Sequence, residues 1–199
     1  MAASLRAIDN VQDVLELLTS RGAILEGHFL LTSGKHSDVY LEKFRVLEDP
    51  EVVDRVGGLL ADGFSGGNVT AVLGAAVGGI LLSHAAAKAL GTRGIFAERV
   101  EGKLSLRRGF QLSGSDAVLI VEDVVTTGGS VRELMDLARK RKARVAGVSC
   151  LVDRSPGGIS FDIRTRVLVR YPAQTWEEDS CPLCRKGIPL ELRGSVGKS

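Results

Sequence analysis

Residues 118–131 read VLIVEDVVTTGGSV: four apolar side chains, two adjacent acids at Glu122 and Asp123, then a small polar loop from Thr126 to Ser130. A short apolar run followed by glycines and a periodic stretch reads as a buried strand feeding a helix. The helix is expected over Val131 to Lys142, with Val131, Leu134, Met135 and Ala138 on one face and basic residues at its negative end. Neighbouring carboxylates repel each other, so such a pair at the end of a buried segment calls for cationic or hydroxyl partners.

The same order of strand, glycine loop and helix occurs upstream. Val69 to Leu73 reads as a short buried strand, Gly74 to Gly79 as a tight loop, and Ile80 to Leu90 as a helix of small residues stopped by Gly91. Val145 to Val152 supplies a further apolar strand. Ile163 to Tyr171 alternates Ile163, Thr165, Val167 and Val169 with Arg164, Arg166 and Arg170, which suits a half-exposed strand near a sheet edge. Near the start, Asn10 can cap a helix carrying Val11, Val14, Leu15 and Leu18 and closed by Gly22. Asp49-Pro50-Glu51 opens another, with Val52, Val53, Val56, Leu59 and Leu60 as its apolar face and an end near Gly63. The stretch between these two helices, GHFLLTSGKHSDVYLEKF at 27–44, reads as loop-rich. Strands alternating with helices at this spacing imply an α/β fold, a mainly parallel sheet covered on both faces. In such sheets ligands bind beyond the carboxyl ends of the strands.

The chain as a whole sets bounds on this reading. A length of 199 residues fits one domain with room for a full core and a cleft, and no repeat or linker divides it. A net charge of +2 gives no whole-protein reason to expect nucleic acid. Three cysteines are too few for a disulfide framework, which points to a reducing compartment and so to the cytoplasm. The first residues show neither a secretory h-region nor transit-peptide composition, and the most apolar window, Val69 to Leu82, is too short to span a bilayer. No membrane association is expected.

If 118–121 is a central strand, Glu122 and Asp123 emerge where ligands lie. Thr126, Thr127, Gly128, Gly129 and Ser130 then offer hydroxyls and open amides just before a helix amino terminus, a ready anion site. Carboxylates a few residues from a phosphate cradle suit a ligand with both hydroxyls and phosphate, such as a ribose 5-phosphate. Two other readings compete. The acids could be the magnesium-binding strand end of a P-loop nucleotidase, but 31–37, LTSGKHS, fails the G-x-x-x-x-G-K-[ST] spacing, and no G-x-G-x-x-G is present. The segment could also be a strand with an ordinary polar turn.

The stretch VLIVEDVVTTGGS resembles the phosphoribosyl-diphosphate (PRPP) motif of the type I phosphoribosyltransferases, and within that family the chain is most similar to the orotate-using branch. The resemblance extends over GHFLLTSGKHSDVYLEKF, AVLGAAVGGILLSHAAAKALG at 71–91, FAERVEGKLSLRRGF at 96–110 and the Val152-Asp153-Arg154 triplet. It implies the type I phosphoribosyltransferase fold, with a small hood formed from about residue 20 to 45 and the C-terminal segment. It also implies Mg2+-dependent transfer of ribose 5-phosphate from PRPP to orotate in pyrimidine synthesis. By the same resemblance, Glu122 and Asp123 hold the ribose hydroxyls, Thr126 to Ser130 the 5-phosphate, and Ala75, Ala76, Val77, Gly78 and Gly79 the diphosphate. Thr126 and Arg154 face orotate, whose carboxylate suits a guanidinium fork, and Phe29 and Tyr40 belong to the hood over the base. Arg99 and Lys103 match basic positions on a family loop that reaches into a neighbouring subunit's site, which implies a homodimer. There they stabilise charge on the departing diphosphate, so Lys103, Arg99 and Asp123 are the expected catalytic residues.

Some positions depart from the family. Thr32 stands where many relatives have a basic residue, Gly78 where some have lysine, and Val100 and Ser105 where some carry lysine and histidine. Lys35, Lys43, Arg107 or Arg108 are the candidates to compensate. Another base, purine or uracil, or a non-catalytic PRPP-sensing regulator are the alternatives to orotate transfer. The three histidines, His28, His36 and His84, show no metal-ligand spacing, and no metal-binding residue is expected among the site residues. Cys181-Pro-Leu-Cys184 is half of a zinc pattern with no second close pair, which leaves a zinc contact across a dimer or a simple docked tail.

Overall fold

The computed structural model describes residues 10–31 and 33–193, so Thr32 lies outside the described residues. The elements run α1 (Val11–Ser20), β1 (Ile24–Leu30), β2 (His36–Leu41), α2 (Phe44–Leu47), α3 (Pro50–Ala61), β3 (Ala71–Ala75), α4 (Gly78–Leu90), β4 (Arg93–Val100), β5 (Lys103–Leu106), β6 (Ala117–Val125), α5 (Gly129–Lys140), β7 (Arg144–Asp153), β8 (Thr165–Arg170), β9 (Thr175–Trp176), α6 (Pro182–Arg185) and β10 (Glu191–Leu192).

Local chemistry sets the helix ends. The Asn10 side chain accepts from the amides of Gln12 and Asp13, and the Asp13 carboxylate accepts from the Asn10 amide, a reciprocal cap. Asp49 accepts from the Glu51 and Val52 amides, with Pro50 in the first turn of α3. Both starts are where the sequence places them.

Six strands form the main sheet in the order β5-β4-β3-β6-β7-β8, all parallel except the β4–β5 pair. Chain order runs outward in both directions from the β3–β6 boundary, so a topological switch point lies between those strands. Alternation along β6 splits the core. Leu119 and Val121 join Val14, Leu18, Val52, Val56, Leu60 and Leu82 from α1, α3 and α4, while Val118 and Ile120 join Val131, Leu134 and Met135 from α5. Helix α3 approaches α4 so closely that a Cβ at Gly57 would lie 2.4 Å from the Ala85 Cβ.

A second sheet, β10-β1-β2-β9, stands apart from the first and forms the hood. Here the loop-rich expectation for 27–44 is corrected: the antiparallel hairpin of β1 and β2, from Ile24 to Leu41, occupies most of it. Its buried positions include His28, His36 and Ser37, polar residues that hide the period-two signal a strand normally gives. A second correction concerns β6, which continues to Val125, so Glu122 and Asp123 belong to the strand itself. β8 lies at the sheet edge, as its alternation implied.

Candidate active site

Helices α4 and α5 start just beyond the carboxyl ends of the adjacent strands β3 and β6. Neither has a side-chain cap: the residues before them, Val77 and Gly128, make no capping hydrogen bond. Two sets of helix-terminal amides are thus left for anions, side by side at the switch point. The Ala76–Val77 peptide between β3 and α4 is cis.

Between the two helix starts sit the acids, Glu122 6% and Asp123 5% exposed. Burial, followed by the charge of Asp123, raises the Glu122 pKa well above the usual carboxylate range, and its buried Oε2 has no hydrogen-bond partner among the described residues. Asp123 is ion-paired to Lys43 from the segment after β2, and its Oδ1 accepts from the Val124 amide at 2.6 Å. A Cβ at Gly78 would fall 1.7 Å from Asp123 Oδ2 and 3.0 Å from the Lys43 Cε. The absent side chain at 78 therefore makes room for the pair, and Lys43 is the basic candidate that lies against this position.

Asp123, Lys43 and Gly78 open onto a cleft of about 880 Å³ between the main sheet and the hood, whereas Glu122 lies behind them and does not line it. Tyr40, Lys43, Asp123, Thr126, Thr127 and Arg154 line it, together with Ala76, Val77 and Gly78. Arg154, 5% exposed, follows β7; its Nη2 donates to Ser37 Oγ at 3.1 Å and to the Val39 carbonyl at 2.8 Å, both on β2. Asp153 does not pair with it. That carboxylate instead accepts from Ser155 N and Oγ at 2.8 and 2.6 Å and from Ile159 N at 2.7 Å, fixing the turn that presents Arg154. Burial lowers the Arg154 pKa, opposed by Asp38 and Tyr40, and its buried Nε has no partner among the described residues. A guanidinium held from one side by the hood, with a buried donor unpaired, is arranged for an acceptor.

Phe29 does not reach the cleft. It is 2% exposed and packs against Tyr40 with ring centroids 5.7 Å apart, supporting the ring that does line it. Arg99 and Lys103 are also outside the cleft of their own chain. Both lie on a β4–β5 hairpin whose tight turn, Glu101-Gly102, has positive φ at both residues. Arg99 Nη1 donates to the Gly102 carbonyl at 2.5 Å and approaches the Glu133 carboxylate at 3.3 Å, while Lys103 is exposed and unpaired among the described residues. Of the other basic candidates, Lys35 lines the cleft and pairs with Glu177 at 2.7 Å, and Arg108 is held away by Glu98 at 2.9 Å. No local pattern pointed to Arg193, which also lines the cleft, or to Ser37 as the anchor of Arg154.

Comparison with known proteins agrees with this geometry. Residues 45–160 match the family model described as phosphoribosyl transferase domain. An orotate phosphoribosyltransferase of Thermoanaerobacter is 45% identical over 92% of the chain and 97% of its own length, and one of Thermotoga maritima is 43% identical over 92% and 98%. The crystal structure of orotate phosphoribosyltransferase from Aeropyrum pernix superposes with a TM-score of 0.65 at 26% identity, covering 79% of the chain and 93% of that protein. Near-complete coverage in both directions, at this identity, means that the chain belongs to the orotate phosphoribosyltransferase family of type I phosphoribosyltransferases.

Proposed function

We propose that the protein transfers ribose 5-phosphate from PRPP to orotate, giving orotidine 5-phosphate and diphosphate, a step of UMP synthesis. The observation that carries this reading is the pair of uncapped helix starts beside Glu122 and Asp123, on the same cleft as the buried Arg154. The 5-phosphate lies on the amides and hydroxyls of Thr126 to Ser130, and the diphosphate on the turn from Ala75 to Gly79. Glu122 and Asp123 accept from the ribose hydroxyls, which supplies the partner that Glu122 Oε2 lacks. The orotate carboxylate meets Arg154, with Thr126 beside it and Tyr40 stacked over the ring.

The donor set suits Mg2+. Two carboxylates bordering a diphosphate site match the hard-oxygen ligation of that ion, which takes one or two carboxylates plus substrate phosphates. Bound there, Mg2+ would neutralise part of the charge on the leaving diphosphate. The chain's own residues do the rest. As the bond from C1 to diphosphate breaks, the ribose becomes oxocarbenium-like; Glu122 and Asp123 keep it in place through its hydroxyls, and Lys43 faces the same region as a cation. Orotate nitrogen then attacks from the hood side.

Arg99 and Lys103 do not reach the cleft of their own chain, which supports a homodimer in which the β4–β5 hairpin of each subunit closes the site of the other. There Lys103 and Arg99 stabilise the departing diphosphate and exclude water, which would otherwise hydrolyse PRPP. The chain works as a single unit whose hood is an appendage of the catalytic sheet, and a cytoplasmic setting fits its substrates. No helix among the described residues is long and apolar enough to cross a membrane.

The test is the loss of orotate absorbance with purified protein, PRPP and Mg2+, with uracil, hypoxanthine and adenine run in parallel for diphosphate release. Orotate consumption that requires both PRPP and Mg2+ is expected. Consumption of another base would overturn the assignment of Arg154 and Tyr40, and PRPP binding without turnover of any base would leave a regulator in its place.

A further inference from the structure

The C-terminal segment is attached to the hood in an unusual way. It enters beside β2, where Thr175 and Trp176 pair with Ser37 and His36, and leaves beside β1, where Glu191 and Leu192 pair with Phe29 and Leu30. Each contact is a strand of two residues. Between 177 and 193 the only buried residue is Cys181, fully enclosed; Ile188, Leu190 and Leu192 are 40%, 39% and 57% exposed. Apolar burial is therefore too small to dock this segment, and two-residue strands add little.

Its cysteines meet two histidines instead. One extra residue in β1 between Glu26 and Phe29 makes a bulge at Gly27-His28, and the register Leu30↔His36 places His28 and His36 diagonally on one face of the hairpin. Both histidines are 2% exposed. His28 Nε2 lies 2.9 Å from His36 Nδ1, 3.5 Å from Cys181 Sγ and 3.7 Å from Cys184 Sγ, and His36 Nδ1 lies 3.3 Å from Cys184 Sγ. All four ligand atoms fall within 4.8 Å of one another. Around a tetrahedral Zn2+, with bonds of about 2.3 Å to sulfur and about 2.0–2.1 Å to nitrogen, N···S edges are about 3.6 Å and N···N edges about 3.3 Å. The observed N···S edges bracket that value, and the one N···N edge is shorter.

The His28 ring is also held from its other side. The Ile188 carbonyl is 2.8 Å from His28 Nδ1 and accepts its proton, which fixes the tautomer and leaves the Nε2 lone pair directed at the cluster. His28, His36 and Cys181 are buried and Cys184 sits exposed at the rim; two thiolates and two neutral imidazoles balance a divalent charge, as a largely buried site requires.

We propose that His28, His36, Cys181 and Cys184 bind one structural Zn2+ that clasps the C-terminal segment to the hood. The site is closed, with four protein ligands and no open position, so it holds structure and performs no chemistry. Binding displaces one proton from each thiol. Through His36, the neighbour of Ser37, the clasp also stiffens the strand that anchors the Arg154 guanidinium. Zinc is favoured over other divalent ions by the mixed thiolate and imidazole set in tetrahedral disposition. The proposal is independent of the transferase reading.

The experiment is metal analysis of the purified full-length protein after dialysis against a weak chelator, together with thiol alkylation before and after a strong chelator. One zinc per chain is expected, with Cys181 and Cys184 protected until it is removed. Cobalt replacement in the unsubstituted protein should give tetrahedral d–d bands and a thiolate-to-cobalt charge-transfer band, so the result does not depend on a variant that fails to fold. Cys184→Ser should abolish zinc retention, and proteolysis should then cut within 177–193. Substoichiometric metal after zinc-supplemented growth, with both thiols freely alkylated or joined as a disulfide, would overturn the proposal.

Discussion

Gly78→Ala tests how the acid pair is seated. A Cβ at 78 would sit 1.7 Å from Asp123 Oδ2, whereas an unstrained C···O contact needs about 3.4 Å, so the carboxylate must move by about 1.7 Å. The backbone at 78 cannot yield easily, because Gly79 packs on Gly74: a Cβ at 74 would lie 2.3 Å from the Gly79 carbonyl oxygen. Turning Asp123 off its rotamer costs about 1 kcal/mol. Loss of its half-buried contact with Lys43 costs up to about 1 kcal/mol more. A total near 2 kcal/mol lowers Tm by about 4–8 °C in a chain of this size. The catalytic effect is larger, because a carboxylate misplaced by more than 1 Å costs about 100-fold in rate. Initial rates at varied PRPP, paired with a thermal melt, should therefore show kcat/KM falling about 100-fold while the protein stays folded at assay temperature. Gly58→Ala is the control, since a Cβ there meets nothing within 4 Å. A Gly78→Ala protein with the parent's kcat/KM would refute the argument that the space at 78 belongs to Asp123.

Three further outcomes follow from the geometry. Adjacent glycines in α3 should respond with opposite signs: Gly57→Ala meets Ala85 at 2.4 Å and should cost about 1–3 kcal/mol or more, whereas Gly58→Ala should gain about 0.5–1 kcal/mol of helix propensity; equal urea midpoints would contradict the close α3–α4 contact. At Asp116, burial works against ionisation, but hydrogen bonds from Arg93, Ser113 and Thr70 outweigh it and hold the pKa down at about 2, below the ordinary 3.8. Because the folded value is the depressed one, its stabilisation is complete above 3.8 and is lost as pH falls through about 2; the stability gap between parent and Asp116→Asn should close over that interval, and a gap independent of pH would show the carboxylate to be a bystander. Finally, Lys103→Ala and Asp123→Asn chains, each nearly inactive alone, should regain activity when mixed and refolded together, since one mixed dimer carries an intact site; no recovery would place Lys103 in its own chain's cleft.

Much of the main sheet was legible because its signals are local. A cap at Asn10, a proline after Asp49, a run of hydrocarbon before glycine and a 3.6-residue face all act within one or two turns of chain, and they placed α1, α3, α4, α5, β7 and β8 within a few residues. The PRPP motif is local in the same sense, since strand end, acids and anion loop are contiguous from 118 to 130. The hood hairpin was not legible, because buried polar residues at His28, His36 and Ser37 replace the apolar alternation that marks a strand.

The sequence by itself determined the α/β class, the order of elements around the switch point and the acids and phosphate loop, since each depends on neighbours along the chain. Tertiary structure alone decided which basic side chain meets Asp123, that Arg154 hangs from Ser37 and Val39 instead of pairing with Asp153, and that Arg99 and Lys103 lie outside the cleft of their own chain. It also decided that the half-motif at Cys181 and Cys184 finds two histidines on a hairpin about 150 residues earlier. Such pairings depend on which surfaces the fold presses together, and linear spacing carries no record of distances that close only when the chain does.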